Sequence, residues 1–288
     1  MVIDRPSLLK LFGKALRRLF ADEAIPLAGN IAFRAIFSLF PFLIFLTSVA
    51  GFFGSEDLAS KVVNFLLDVA PATLVKPFAS EIMSILTIPR AGLLSIAALL
   101  TIWSAMGGVD SVRVGLNRAY DVKENRPLWY LYIQNVIFVI GAAALLLAVA
   151  LLLVIVPAVT QFLESYAPNT LIIFAPWDLY RYPLAILLLI FGLLIAHRFL
   201  PSQKMRRRDV VPGILLTVAV WIALTASFAW YLRNFNSFAS TYASLSGLFA
   251  AMFFIYLAAV VLIFGGEVNR ILMFVRNQSR IPEKPPVS

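Results

Sequence analysis

The sequence predicts an all-α polytopic membrane protein with six transmembrane helices and an amphipathic helical outer loop, on three observations. Of the 288 residues, 61% are apolar and 14% charged, whereas a soluble domain is nearer half apolar and a quarter charged. The apolar residues fall into runs of about twenty, enough helix to cross ~30 Å of hydrocarbon. The 24 basic residues are also distributed unequally between the two sides that such a topology creates, as the positive-inside rule requires.

Residues 1–30 form a cytoplasmic amphipathic segment. Lys10, Lys14, Arg17 and Arg18 share one helical face opposite Leu8, Leu11, Phe12, Ala15, Leu16, Leu19 and Phe20. That pattern suits an in-plane helix on the anionic cytoplasmic leaflet and equally a helix packed over the ends of the bundle. The first apolar run begins only near Ala35, too late for the core of a cleaved leader, so insertion is expected to rely on the first span. The transmembrane domain, residues 31–272, holds spans at 35–53, 91–109, 136–156, 183–199, 210–231 and 245–266. Residues 273–288 form a cytoplasmic tail with Pro282, Pro285 and Pro286, expected to be disordered.

With six spans, every Lys and Arg except Lys61, Lys76, Arg90, Arg181 and Arg233 falls on one side. That side is therefore cytoplasmic and carries both termini. Trp129, Tyr130 and Tyr132, then Trp177, Tyr180 and Tyr182, then Trp230 and Tyr231 stand at span ends, where amphipathic rings prefer the headgroup level. In the outer loop 54–90, Asp57, Lys61, Asn64 and Asp68 make a polar stripe before Pro71, and Lys76, Ser80, Ser84 and Thr87 a second one after it. Two amphipathic helices at the outer surface are expected there.

Candidate chemistry is sparse. There is no cysteine and one histidine, so thiolate chemistry and a multi-histidine metal centre are excluded. No glycine-rich phosphate loop is present. His197, beside Arg198 at a span end, is expected at the interface, and Asp209, after three arginines, in solvent. The sequence implies no enzyme, no cofactor and no metal. The basic charge is spread over four segments without aromatic stacking surfaces, so nucleic acid is not an expected partner. The expected partners are membrane lipids, with a lipid-like or small solute as substrate; oligomeric state is not encoded legibly.

The informative feature is a belt of polar residues at one depth. Arg34 opens the first span, Asp110 closes the second, and Glu267 and Asn269 close the sixth. Asp110, Arg113 and Asn117 follow at i, i+3 and i+7, so they share a face if the second helix runs on past its apolar part. Ionisable groups at membrane depth mark pathways or interhelical pairs, and pairing of Arg34 with Asp110 or Glu267 is the arrangement expected. The alternative is that each lies hydrated at the interface, with Arg34 snorkelling. Ser38 and Pro41 on the first span, and Trp103, Ser104, Gly107 and Gly108 on the second, complete a candidate pathway or gate, although small residues and proline serve packing equally well.

These residues also carry a family resemblance. The stretch 32–41, with Phe33, Arg34, Ser38 and Pro41, resembles the first-helix signature of the YihY/BrkB family of inner-membrane proteins. So do Trp103, Ser104, Gly107, Gly108 and Asp110, then Asn117, Arg118 and Tyr120, Arg126 with Pro127, Arg198 with Pro201, Pro212 with Gly213, Trp221, and Gly265, Gly266, Glu267 and Asn269. The resemblance spans roughly residues 10–272 in order; Arg34 departs from it, at a position where the family more often has an aromatic residue. It implies a six-helix bacterial inner-membrane protein. It also brings an old ribonuclease label and an association of one branch with serum resistance and virulence. Two function classes follow, a translocator of a lipid-like or small solute and a non-transporting scaffold for the envelope; a membrane nuclease is disfavoured.

Overall fold

A computed structural model describes residues 8–53, 60, 91–155, 177–234 and 243–278. The outer loop 54–90 (Ser60 apart) and the tail 279–288, with the expected amphipathic stripes and disordered end, lie outside the described residues. Among the described residues there are seven α-helices and no strand. They are α1 (Leu8–Ala21), α2 (Ala24–Phe53), α3 (Ala91–Tyr120), α4 (Leu128–Ala150, continued by a π-helical turn Leu151–Ile155), α5 (Trp177–Phe199), α6 (Arg207–Asn234) and α7 (Ala243–Gln278).

Six of these, α2 to α7, are long and apolar enough to cross a membrane, over Ala24–Phe42, Ser95–Tyr120, Leu128–Leu153, Leu179–Phe199, Arg207–Tyr231 and Gly247–Arg276. This is the six-span count read from the sequence. Helices α3 and α7 run well past the spans expected at 91–109 and 245–266, to Tyr120 and Gln278. Hydropathy sees only the part of a helix that needs lipid; polar contacts described below hold the remainder.

The chain divides into two compact units, Met1–Ala32 with Val109–Ser288, and Phe33–Gly108. In the first, α7 is the central element, contacting α1 and α6, while α6 also contacts α5. One apolar core joins Ala15, Leu19, Ala24, Ala28 and Ile31 to Ile263, Phe264 and Ile271. A second joins Leu116 and Tyr120 to Leu193, Val210, Ile214, Val218 and Leu262.

Consecutive glycines let α7 approach two neighbours at once. A Cβ on Gly265 would collide with Thr217 Oγ1 of α6, and one on Gly213 would collide with the Gly265 carbonyl. A Cβ on Gly266 would stand 2.9 Å from that of Ala119 on α3. Such small-residue seams substitute close van der Waals packing for the hydrophobic force that lipid removes. Trp221 Nε1 donates to Ala258 O at 3.0 Å on the same α6–α7 seam.

Helix α3 ends in a left-handed residue, Asp121, at φ 53°. The Val122 amide donates back to Asn117 O and the Asp121 amide to Arg118 O, a Schellman stop that normally selects glycine. Its side chain is held by Arg270. The chain is thereby turned into the loop that builds the first polar cluster.

Candidate functional site

The first unit contains two polar clusters of different chemistry. The ionic one forms where the loop after α3 folds back on its own helix. Because α3 is continuous through Tyr120, Asp110, Arg113 and Asn117 do share a face: Arg113 pairs with Asp110, and its Nη1 donates to Glu124 Oε2 at 3.1 Å. Asn117 Nδ2 donates to the same oxygen at 3.0 Å. Arg126 closes on Glu124 from the other side, through Nη2 at 2.7 Å and Nε at 2.8 Å. It also donates to Gln134 Oε1 at 3.1 Å and Leu200 O at 2.8 Å. The Ser202 amide donates to Asn117 Oδ1 at 2.8 Å, and Gln134 Nε2 to Phe199 O at 2.6 Å. One carboxylate thus ties together α3, the α3–α4 loop, α4 and the turn after α5. Hydrogen bonds from Arg126 lower the Glu124 pKa from 4.5 to about 2, and the same contact raises that of Arg126.

The second cluster is neutral and more deeply buried. Asn269 Oδ1 accepts from the Gly213 amide at 2.6 Å, while its Nδ2 donates to Val210 O at 2.9 Å and Tyr120 Oη at 3.0 Å. The two backbone partners fix which end of the amide is which. Tyr120 Oη also lies within hydrogen-bond distance of His197 Nδ1, 2.8 Å away. Tyr120, His197 and Asn269 come from three helices, and His197 and Asn269 are 0% exposed.

Glu267, also 0% exposed, accepts from Arg18 Nε of α1 at 3.2 Å. Arg18 reaches Asp22 at 3.3 Å as well, and Arg270 bridges Asp22 and Asp121.

The second unit brings together the remaining sequence-selected residues on α2 and α3. Arg34, Ser38 and Pro41 recur at i, i+4 and i+7 on α2. The Arg34 guanidinium lies over Gly107 of α3, where a Cβ would collide with Nη1 and stand 3.5 Å from Cζ. Ser104 is buried one turn away and donates to Thr101 O at 3.1 Å, while Ser38 donates to Ala35 O at 2.7 Å. Trp103, one turn from Gly107 on the same side of α3, is 65% exposed.

The structure therefore joins Asp110, Arg113 and Asn117 in one cluster, and places Asn269 in another and Glu267 beside α1. Within the first unit Asp110 pairs with Arg113 and Glu267 with Arg18. Two expectations are corrected. His197 stands at a span end but is wholly enclosed by helices instead of facing headgroups, because Tyr120 supplies its hydrogen bond. Asp209 is not solvated: its side chain is 12% exposed and paired with Arg276 of α7. The sequence reading did not single out Glu124, Gln134 or Ser202, and it read Tyr120 and Arg126 only as parts of a family signature. These groups are not periodic with the helix residues they serve. The polar pair Gln134 and Asn135, inside an apolar span, was the available signal.

The family whose model matches residues 15–286 is described as virulence factor BrkB. A putative ribonuclease-like protein, YfkH, of Bacillus subtilis is 26% identical over 261 residues, covering 90% of this chain and 92% of that one. A UPF0761 membrane protein of Alteromonas mediterranea is 22% identical, covering 91% and 87%. One of Xanthomonas campestris is 23% identical over 96% of this chain, which spans 64% of that longer relative. No solved structure matches. The match over nearly the whole length, with six apolar helices, makes this chain a member of the BrkB family of membrane proteins.

Proposed function

We propose that the chain is a translocator of the bacterial inner membrane, with both termini cytoplasmic, that moves a lipid-like or small solute along the α2–α3 seam. The observation that carries this reading is Arg34. It lies inside a candidate span, is exposed, and rests on a glycine that leaves room for its guanidinium. An arginine facing lipid costs roughly 2.5–3.5 kcal/mol at mid-membrane on insertion scales and far more in simulation. A water-filled path along the seam removes that cost, and Ser38 and Ser104 supply further polar lining. The skewed placement of basic residues supports the orientation.

Flux tests the reading. Proteoliposomes of phosphatidylethanolamine and phosphatidylglycerol would carry either a fluorescent phosphatidylglycerol or trapped carboxyfluorescein. The expectation is protein-dependent movement of at least one probe, reduced by Arg34→Ala at unchanged insertion. Absence of both fluxes from correctly inserted protein would overturn it.

The second reading, a non-transporting scaffold, is favoured by the two polar clusters of the first unit, whose groups bind one another across helices. A scaffold would give no flux and would co-purify with a fixed envelope partner. Neither reading includes catalysis or nucleic acid. YfkH is named ribonuclease-like, but among the described residues of this chain no three His, Asp or Glu side chains converge to hold a metal. Purified protein is expected to leave RNA intact with and without divalent metal.

A further inference from the structure

Helix α1 has three faces. Ala15 and Leu19 are buried against α7, and Phe12 meets Phe264 edge-on at 5.3 Å. Beside that face, Phe12, Leu16 and Phe20 recur at i, i+4 and i+8 and remain 50%, 43% and 65% exposed. Lys14 and Arg17 are exposed on the next sector round. The helix contains no acidic residue. Arg18 is turned inward to Glu267 and Asp22. A helix packed over the bundle needs only the first face; the exposed apolar stripe and the unopposed cations remain to be explained.

Chain geometry supplies the occupant. Helix α1 ends at Ala21, and the first candidate span begins at Ala24, so its C-terminal end is held at the membrane surface. An apolar stripe flanked by cations at that level fits the boundary between acyl chains and anionic headgroups. We infer that α1 is a lipid-docking helix: Phe12, Leu16 and Phe20 enter the acyl boundary while Lys14 and Arg17 engage the phosphates of anionic lipids. Its inner face anchors it to α7. This assignment does not depend on the translocator reading, because a scaffold would need the same seat.

The cysteine-free chain permits a direct test on the full-length protein in nanodiscs. Spin labels at Leu16→Cys and Phe20→Cys should collide more with oxygen than with a water-soluble nickel complex, and labels at Lys14→Cys and Arg17→Cys the reverse. In discs mixing phosphatidylglycerol and phosphatidylcholine, bound phosphatidylglycerol retained in native mass spectrometry should fall by at least about fivefold for each of Lys14→Glu and Arg17→Glu. Labels at 16 and 20 shielded from both reagents would mean that a second copy or another protein covers the stripe. Labels there open to the nickel complex would mean a solvated face. Either outcome overturns the assignment, and so does charge reversal that leaves phosphatidylglycerol retention unchanged.

Discussion

The two polar clusters of the first unit lie on the same ends of the helices yet are built from opposite materials. Around Asn269 every group is neutral, and His197 and Asn269 are sealed from solvent. Around Glu124 the groups are charged, and the carboxylate itself is 25% exposed. The difference follows from solvation. Removing an ion from water costs several kcal/mol, which an ion pair offsets only with near-ideal geometry, whereas an amide or phenol needs only its hydrogen bonds satisfied. The helix seam is accordingly fixed by neutral groups, and the wet loop by ions.

The largest effect should come from the neutral cluster. Asn269→Leu strands the Gly213 amide, the Val210 carbonyl and the Tyr120 hydroxyl oxygen, each worth about 1–3 kcal/mol when left unsatisfied in a buried site. A loss of about 3 kcal/mol or more is expected, measured as a fall in thermal midpoint in detergent. A loss below about 1 kcal/mol would show that water reaches the seam. Gly213→Ala attacks the same contact sterically, against the Gly265 backbone, and should cost about 1–3 kcal/mol.

The ionic cluster should be weaker and sensitive to acid. Glu124→Gln removes a carboxylate bonded to two arginines and Asn117, at a cost of about 1–3 kcal/mol near neutral pH. Because its folded pKa lies near 2, below the ordinary 4.5, its stabilisation is complete above about pH 5. It is lost progressively as pH falls toward 2. Melting curves across that window should show the wild type losing its advantage over Glu124→Gln. A constant gap down to pH 2 would place the stabilisation elsewhere.

The smallest stability effect belongs to the second unit. Gly107→Ala displaces only the far end of the flexible Arg34 side chain, so the thermal midpoint should move by less than about 0.5 kcal/mol equivalent. Flux should nevertheless change if the guanidinium lines a path. A large stability loss would make Arg34 a packing residue.

The contrast between the clusters also marks what could be read from sequence. Helix count, the buried face of α1 and the shared face of Asp110, Arg113 and Asn117 are all periodic within single segments, and periodicity is what a sequence displays. Glu124 becomes the hub because Asp121 turns the chain back, and nothing in the spacing of loop residues announces which carboxylate will meet Arg113. Tyr120, His197 and Asn269 come from α3, α5 and α7, so their meeting depends on how those helices pack. His197 was misjudged for that reason: one polar residue at a span end looks interfacial until the partner that buries it is known.

Whether Arg34 faces a water-filled seam or lipid is read directly by thiol accessibility. Single cysteines at Arg34, Ser38 and, as an exposed apolar control on α4, Ile140 would be introduced into the cysteine-free chain and exposed, in intact membrane vesicles, to a charged, membrane-impermeant thiol reagent. Modification of Arg34→Cys and Ser38→Cys and protection of Ile140→Cys are expected. Protection of all three, in protein that remains folded and inserted, would contradict a water-filled seam.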